Sequence, residues 1–192
     1  MIQNETALEF LELLGANELE AKASLITLAE SDSKYLRDLK VNFKTALKTE
    51  NLSDKEAALI ALSIASNENN EVLIHYFTNS SINNGASKEE IGEAIACASL
   101  LSSNNVFYRF RHFTGKEKYT QIPAKLRMNI MVNPVLGKEF FELMSLAVSA
   151  VNGCEMCVNA HENSLMDLGT SEERVFDAVR LSAVIVSVSK LV

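Results

Sequence analysis

Apolar side chains recur every three to four residues along almost the whole chain, and two-residue alternation is nearly absent. No Asn-Gly or Asp-Gly turn separates alternating apolar runs, so strands are not expected. The pattern predicts helices near 3–14, 18–30, 33–48, 55–66, 69–80, 88–104, 137–151, 154–168 and 172–190. Three starts carry the signature of a capping box, in which a hydroxyl and a carboxylate satisfy orphan amides. These are Ser53 with Glu56, Ser87 with Glu90, and Thr170 with Glu173 directly after the stop at Gly169. The expected fold class is all-α, a helical bundle.

The chain also resembles itself. At a shift of 86, Glu56 falls on Glu142, Ala61 on Ala147, Ser63 on Ser149 and His75 on His161. After a two-residue slip, Gly85 falls on Gly169, Ser87 on Ser171, Glu89 on Glu173 and Ala94 on Ala178. One helix pair cannot bury its apolar face alone, so duplication of a helical unit is a natural way to build a core. The expectation is one domain over residues 1–192, with related repeats at approximately 50–105 and 136–192 and N-terminal helices over 1–49. Cys154 and Cys157 fall on Glu68 and Glu71 in this alignment, so only the second copy carries thiols.

Composition narrows the function. The 192 residues are 47% hydrophobic and 22% charged, a globular balance, with seven glycines and two prolines. A net charge of −7, with lysines and arginines scattered, argues against nucleic acid, which needs a basic stripe. No run of about 18 apolar residues suggests a membrane span. The opening MIQNETALEFLELLG carries Glu5, Glu9 and Glu12, so it reads as an amphipathic helix and not as a leader. A cytoplasmic location is therefore expected, where a Cys-x-x-Cys more often signals redox chemistry or metal than a structural disulfide.

The candidate chemistry lies in NGCEMCVNAH, from Asn152 to His161. Gly153 is placed to end one helix, which puts Cys154 near the first position of the next and Cys157 one turn in. Residues three and four apart share a helix face, so Cys154, Cys157 and His161 form one row. A thiolate is stabilised near a helix N-terminus or beside an imidazole. A second thiol one turn away can capture a sulfenic acid as a disulfide. His161 can take a proton from Cys157, and Glu142 on the preceding helix can orient the imidazole or relay the proton. This makes Cys157 the attacking thiol and Cys154 the resolving one. The reverse assignment has its own argument, since the first cysteine feels the helix terminus more strongly. A zinc site would need four ligands, and only three candidates cluster. Cys97 reads as a small core residue, Glu56 as part of its capping box, His75 as a remnant of duplication, and His112 as a packed or surface imidazole. The roles of Arg109 and Arg111 stay open. No haem, flavin or nucleotide signature is present, so no bound cofactor is expected.

Four segments, NNVFYRFRHF, LRMNIMVNP, FELMSLAVSAVNGCEMCVNAHENSL and VRLSAVIVSVSKLV, together resemble AhpD-type alkylhydroperoxidases of the all-helical carboxymuconolactone decarboxylase-like superfamily. The likeness is dense from about Asn104 to Val192, looser from about Tyr35 to Ser103, and absent from the first thirty or so residues. The family motif is a glutamate twelve residues before Cys-x-x-Cys and a histidine four after it, here Glu142, Cys154, Cys157 and His161. The resemblance implies that Cys157 is peroxidatic, and that Cys154 resolves and passes protons. It implies reduction of organic hydroperoxides to alcohols and regeneration of a partner peroxiredoxin. Electrons would come from a lipoyl-bearing protein, and the assembly would be a homo-oligomer, possibly a trimer. One departure is Met156, where the better-known motif has a histidine before the peroxidatic cysteine; an imidazole relay there is lost or rerouted. Two alternatives remain at this point: a dedicated protein disulfide reductase, and a non-catalytic, zinc-stapled helical interaction module.

Overall fold

A computed structural model describes residues 1–192. Ten α-helices and two short 3-10 turns make up the chain, with no strand. The helices are α1 Glu5–Leu13, α2 Ala23–Glu30, α3 Tyr35–Ala46, α4 Asp54–Asn67, α5 Glu71–Asn83, α6 Lys88–Thr114, α7 Glu117–Gln121, α8 Lys138–Val151, α9 Glu155–Asp167 and α10 Glu172–Ser189. None is long and apolar enough to cross a membrane.

Two helices form the centre. Every residue from Ala57 to Ala65 in α4 and from Phe140 to Ser149 in α8 is buried. A helix apolar on all sides must be surrounded, and these two are. α5, α6 and α10 pack on α4; α6, α9 and α10 pack on α8; α4 and α8 also touch each other. The N-terminal helices join through aromatic contacts. Phe43 of α3 lies edge-on to Phe10 of α1 at 5.7 Å and tilted against Phe77 of α5 at 6.1 Å. Each fully buried phenylalanine contributes about 1.5–3 kcal/mol, so this chain of rings welds α1 and α3 to the core.

Several boundaries differ from expectation for local reasons. The predicted helix 18–30 is split, because an Asn17–Glu20 capping box closes a 3-10 turn and Ala21 is extended. The predicted helix 88–104 continues ten residues further, to Thr114, where left-handed Gly115 stops it. The polar side chains of Ser102–Asn105 do not end it, because they find partners: Ser102 bonds the Ala98 carbonyl and Asn105 bonds Ser149. The cap of α10 is Ser171, accepting from the Arg174 amide, and Thr170 instead bonds Glu139. The capping boxes at Ser53–Glu56 and Ser87–Glu90 form as expected.

The internal similarity also takes a different register. N-caps Ser53, Asn70 and Ser87 correspond to Gly137, Cys154 and Ser171, a uniform offset of 84 with no slip. The turns agree in detail. Asn70 N–H to Ala65 carbonyl matches Cys154 N–H to Ser149 carbonyl, both 3.0 Å. Left-handed Asn69 and Gly85 match left-handed Gly153 and Gly169. The counterparts of Glu142, Cys154, Cys157 and His161 are therefore Ala58, Asn70, Leu73 and Phe77, not Glu56, Glu68, Glu71 and His75. Ala58, Leu73 and Phe77 are core residues, at most 1% exposed.

Candidate active site

α8 ends in a tight turn that delivers the first cysteine. Asn152 and Gly153 donate back to the Val148 and Ala150 carbonyls, and Gly153 takes a positive φ of 66° that other residues adopt only with strain. Cys154 is then the N-cap of α9, not its first helical residue, and it supplies no side-chain cap. Cys157 sits in the first turn, where amides lack intrahelical carbonyl partners. The two cysteines are joined by a disulfide, with Cα atoms 5.3 Å apart. Cys154 is fully buried, while Cys157 is 7% exposed.

One turn further along α9, His161 Nδ1 lies 2.6 Å from Glu142 Oε2 of α8. The other carboxylate oxygen is 2.7 Å from Lys138 Nζ, one turn before it in α8. Burial pushes the Glu142 carboxyl up, but the hydrogen bonds from His161 and then Lys138 outweigh it and hold it below the ordinary carboxylate range. The result is an ionised carboxylate, nearly enclosed, gripping an imidazole. The four candidates thus form two pairs along α9: Cys154 with Cys157 at its start, and His161 with Glu142 of α8 one turn further on.

The other candidates lie elsewhere. His75 is exposed and pairs with Asn79 on its own helix. Glu56 serves its capping box and binds Arg174 at 2.5 Å, in a cluster where Arg174 also holds Glu139. Cys97 is a free, buried thiol near Ser145, and burial pushes its pKa up to about 12. No three His, Cys, Asp or Glu side chains converge as a metal cage. His112 is exposed, 3.5 Å from Glu155 at the start of α9. With Tyr108, Arg111, Lys116 and Thr120 it lines a groove of about 500 Å³ that Met156, the residue before Cys157, also borders. Arg111 stacks 4.6 Å from the Phe107 ring centre.

Two parts of the site were not anticipated. Lys138 was legible as an i, i+4 partner of Glu142. Asn67 and Asn105 each bond the Asn152 side chain beside the cysteine turn, and Arg109 bonds the Asn152 carbonyl at 2.6 Å. No local pattern announces contacts between residues so far apart in sequence.

A helix-borne Cys-x-x-Cys backed by this glutamate and histidine accompanies a clear family match. The carboxymuconolactone decarboxylase family model matches twice, over residues 37–108 and 117–192. The chain belongs to that family. Within it, the chain is of the AhpD type. It is 39% identical over 163 residues to the alkyl hydroperoxide reductase AhpD of Anaeromyxobacter dehalogenans, covering 85% of this chain and 87% of that one. Against the protein of the same name from Coxiella burnetii, identity is 38% over 155 residues, 79% of this chain and 86% of the relative. The Rhodopseudomonas palustris protein of that name is 37% identical over 164 residues, 84% and 89% of the two chains. The family member therefore stands among proteins named for alkyl hydroperoxide reduction.

Proposed function

We propose that this protein reduces organic hydroperoxides to alcohols through the Cys154–Cys157 dithiol, in antioxidant defence. The observation that carries the reading is the Cys-x-x-Cys at the start of α9 with the hydrogen-bonded His161–Glu142 pair one turn behind it. Cys157 is peroxidatic in this reading: it is the more accessible residue of the pair, 7% exposed against 0% for Cys154, and it lies four residues before His161 on α9. His161 takes the Cys157 proton, and Glu142 stabilises the imidazolium. The thiolate attacks the outer peroxide oxygen, the O–O bond breaks, and the leaving alkoxide takes the proton of Cys154. The Cys154 thiolate then displaces hydroxide from the Cys157 sulfenic acid, forming the disulfide. That hydroxide takes the proton from His161 and leaves as water. A thiolate is stabilised at a helix N-terminus, and Asn70 illustrates the position: it caps α5 by accepting from the Leu73 amide at 3.0 Å, where Cys154 stands on α9.

Electrons return by thiol exchange from a dithiol. A lipoyl arm is a fitting donor, since it is slender enough to approach a residue only 7% exposed, as Cys157 is. By the same reasoning a small hydroperoxide reaches the site readily, whereas a protein disulfide must be presented on an exposed, extended segment. Regeneration of an AhpC-like peroxiredoxin is a second use of the same dithiol. A cytoplasmic homo-oligomer, a trimer in this proposal, would cover Val106, Phe110 and Phe113, which share one face of α6 and are 61%, 48% and 75% exposed.

The test is hydroperoxide consumption by the purified protein with dihydrolipoamide as reductant. Wild type turns over; Cys157→Ser does not; Cys154→Ser stops at a sulfenic acid or mixed disulfide. Multiple turnover in Cys157→Ser would reject the assignment of the attacking sulfur.

A further inference from the structure

Asn152 closes α8 two residues before Cys154, and each of its polar groups is bound. Its N–H donates to the Val148 carbonyl at 3.0 Å, and its own carbonyl accepts from Arg109 Nη1 at 2.6 Å. Its side-chain oxygen accepts from Asn67 at 3.0 Å, and its side-chain nitrogen donates to Asn67 at 3.1 Å and Asn105 at 2.9 Å. Asn105, only 1% exposed, also donates to Ser149 Oγ at 2.9 Å, and the Ser149 carbonyl accepts the Cys154 N–H. Asn105 and Arg109 are four apart on α6, so one helix face grips both sides of the turn. A partly buried network so fully satisfied, with Asn105 and Ser149 at its buried end, resists local rearrangement.

We propose that Asn105 and Arg109 are positioning residues for the dithiol: they hold the Asn152–Cys154 turn in one conformation when the disulfide is open, keeping the Cys154 sulfur beside that of Cys157. The proposal rests on the site working as a thiol–disulfide couple, but not on peroxide being its oxidant. When oxidised, the disulfide itself pins the turn. After reduction the turn keeps only its backbone hydrogen bonds and the clamp, so losing the clamp loosens the dithiol form and hardly touches the disulfide form. Freeing about one residue of backbone corresponds to about a tenfold shift toward the dithiol. For a two-electron couple that is about 30 mV toward a less negative potential. A purely electrostatic role for Arg109 has the opposite sign. Its positive charge would favour thiolates, so removing it would favour the disulfide.

The experiment equilibrates the full-length protein with mixtures of dithiothreitol and its cyclic disulfide. The exchange moves two electrons from the reagent dithiol to the protein disulfide, giving the protein dithiol and cyclic oxidised reagent. Alkylation and mass measurement then count the protein thiols. Arg109→Met and Asn105→Ala are expected to favour the dithiol about tenfold over wild type. Arg109→Lys, which keeps a donor of the same charge, is expected to restore the equilibrium to within about threefold. An unchanged equilibrium in Arg109→Met, or a shift toward the disulfide, would overturn the proposal. The readout needs no peroxide, so a protein without peroxidase turnover still reports on the clamp.

Discussion

Replacing Glu142 by glutamine removes one charge and keeps the volume of the side chain. The carboxylate accepts from His161 at 2.6 Å and from Lys138 at 2.7 Å, and it is only 4% exposed. An amide has a single oxygen, so it can accept from one of these donors while turning its NH₂ toward the other. In the proposed mechanism the larger loss comes when His161 takes the thiol proton and becomes an imidazolium. Two unit charges about 4 Å apart attract by about 4 kcal/mol at an effective dielectric of about 20. Lys138, on the other oxygen, offsets part of this attraction. A net loss of about 2 kcal/mol slows thiolate-dependent attack by about thirtyfold. The assay is single-turnover hydroperoxide consumption by pre-reduced protein, followed at neutral pH. A rate for Glu142→Gln within twofold of wild type would refute the electrostatic role, because nothing else in the site can supply that charge.

The same substitution has a pH signature in stability. Glu142 is held below its ordinary value of 4.5 by His161 and Lys138, despite burial. A carboxyl depressed in the folded state binds fewer protons folded than unfolded. Its stabilisation is therefore fully present above the unfolded value and is lost as pH falls through the folded one. The wild-type advantage over Glu142→Gln in urea unfolding should hold at neutral pH and shrink as pH drops below 4.5. An advantage that stays constant across that window would mean the carboxylate is not ionised in the fold.

Three further outcomes follow from named contacts. Arg174 ties Glu56 to Glu139 and donates to the Asn51 carbonyl; Arg174→Met should cost about 2 kcal/mol in urea unfolding, since two carboxylates then face each other uncompensated. Burial holds the Cys97 thiol as a thiol, with a pKa pushed up to about 12, so the native oxidised protein should show no reactive thiol at pH 8 and one after denaturation. The register of 84 predicts that His75→Ala is neutral to within about 0.5 kcal/mol, while Phe77→His buries an unpartnered imidazole and costs about 3 kcal/mol or more by thermal or urea unfolding.

Local rules located most of the helices and the cysteine–histidine row, because apolar period, capping residues and i, i+4 spacing act within one turn. They failed where tertiary contacts override them. The helix expected to end near 104 passes through Asn104 and Asn105, and α8 supplies Asn105 with a partner in Ser149. The repeat was visible, but matching letters favoured Glu56 with Glu142 and His75 with His161. Backbone turns align it two residues differently, since left-handed residues and caps mark equivalent positions more faithfully than similar side chains do. The Glu142–His161 contact was readable because 19 residues of helix, turn and helix fold back on themselves. The Asn67–Asn152 pair joins different units, and nothing local encodes it.

The corrected register explains why the proposed chemistry is confined to one unit. At Ala58, Leu73 and Phe77 the first unit has residues that fill space and carry no charge. Phe77 packs tilted against Phe43, so this position is one anchor for the N-terminal helices. An ionised carboxylate and an imidazole there would be enclosed with no exit for a proton. In the second unit the same positions hold Glu142, Cys157 and His161, and Lys138 brings a half-exposed ammonium to the carboxylate. Desolvation is thus compensated locally on α8 and α9 while the first unit supplies a rigid apolar partner. A polar catalytic group survives burial only where its neighbours satisfy it, and the two units divide those requirements between them.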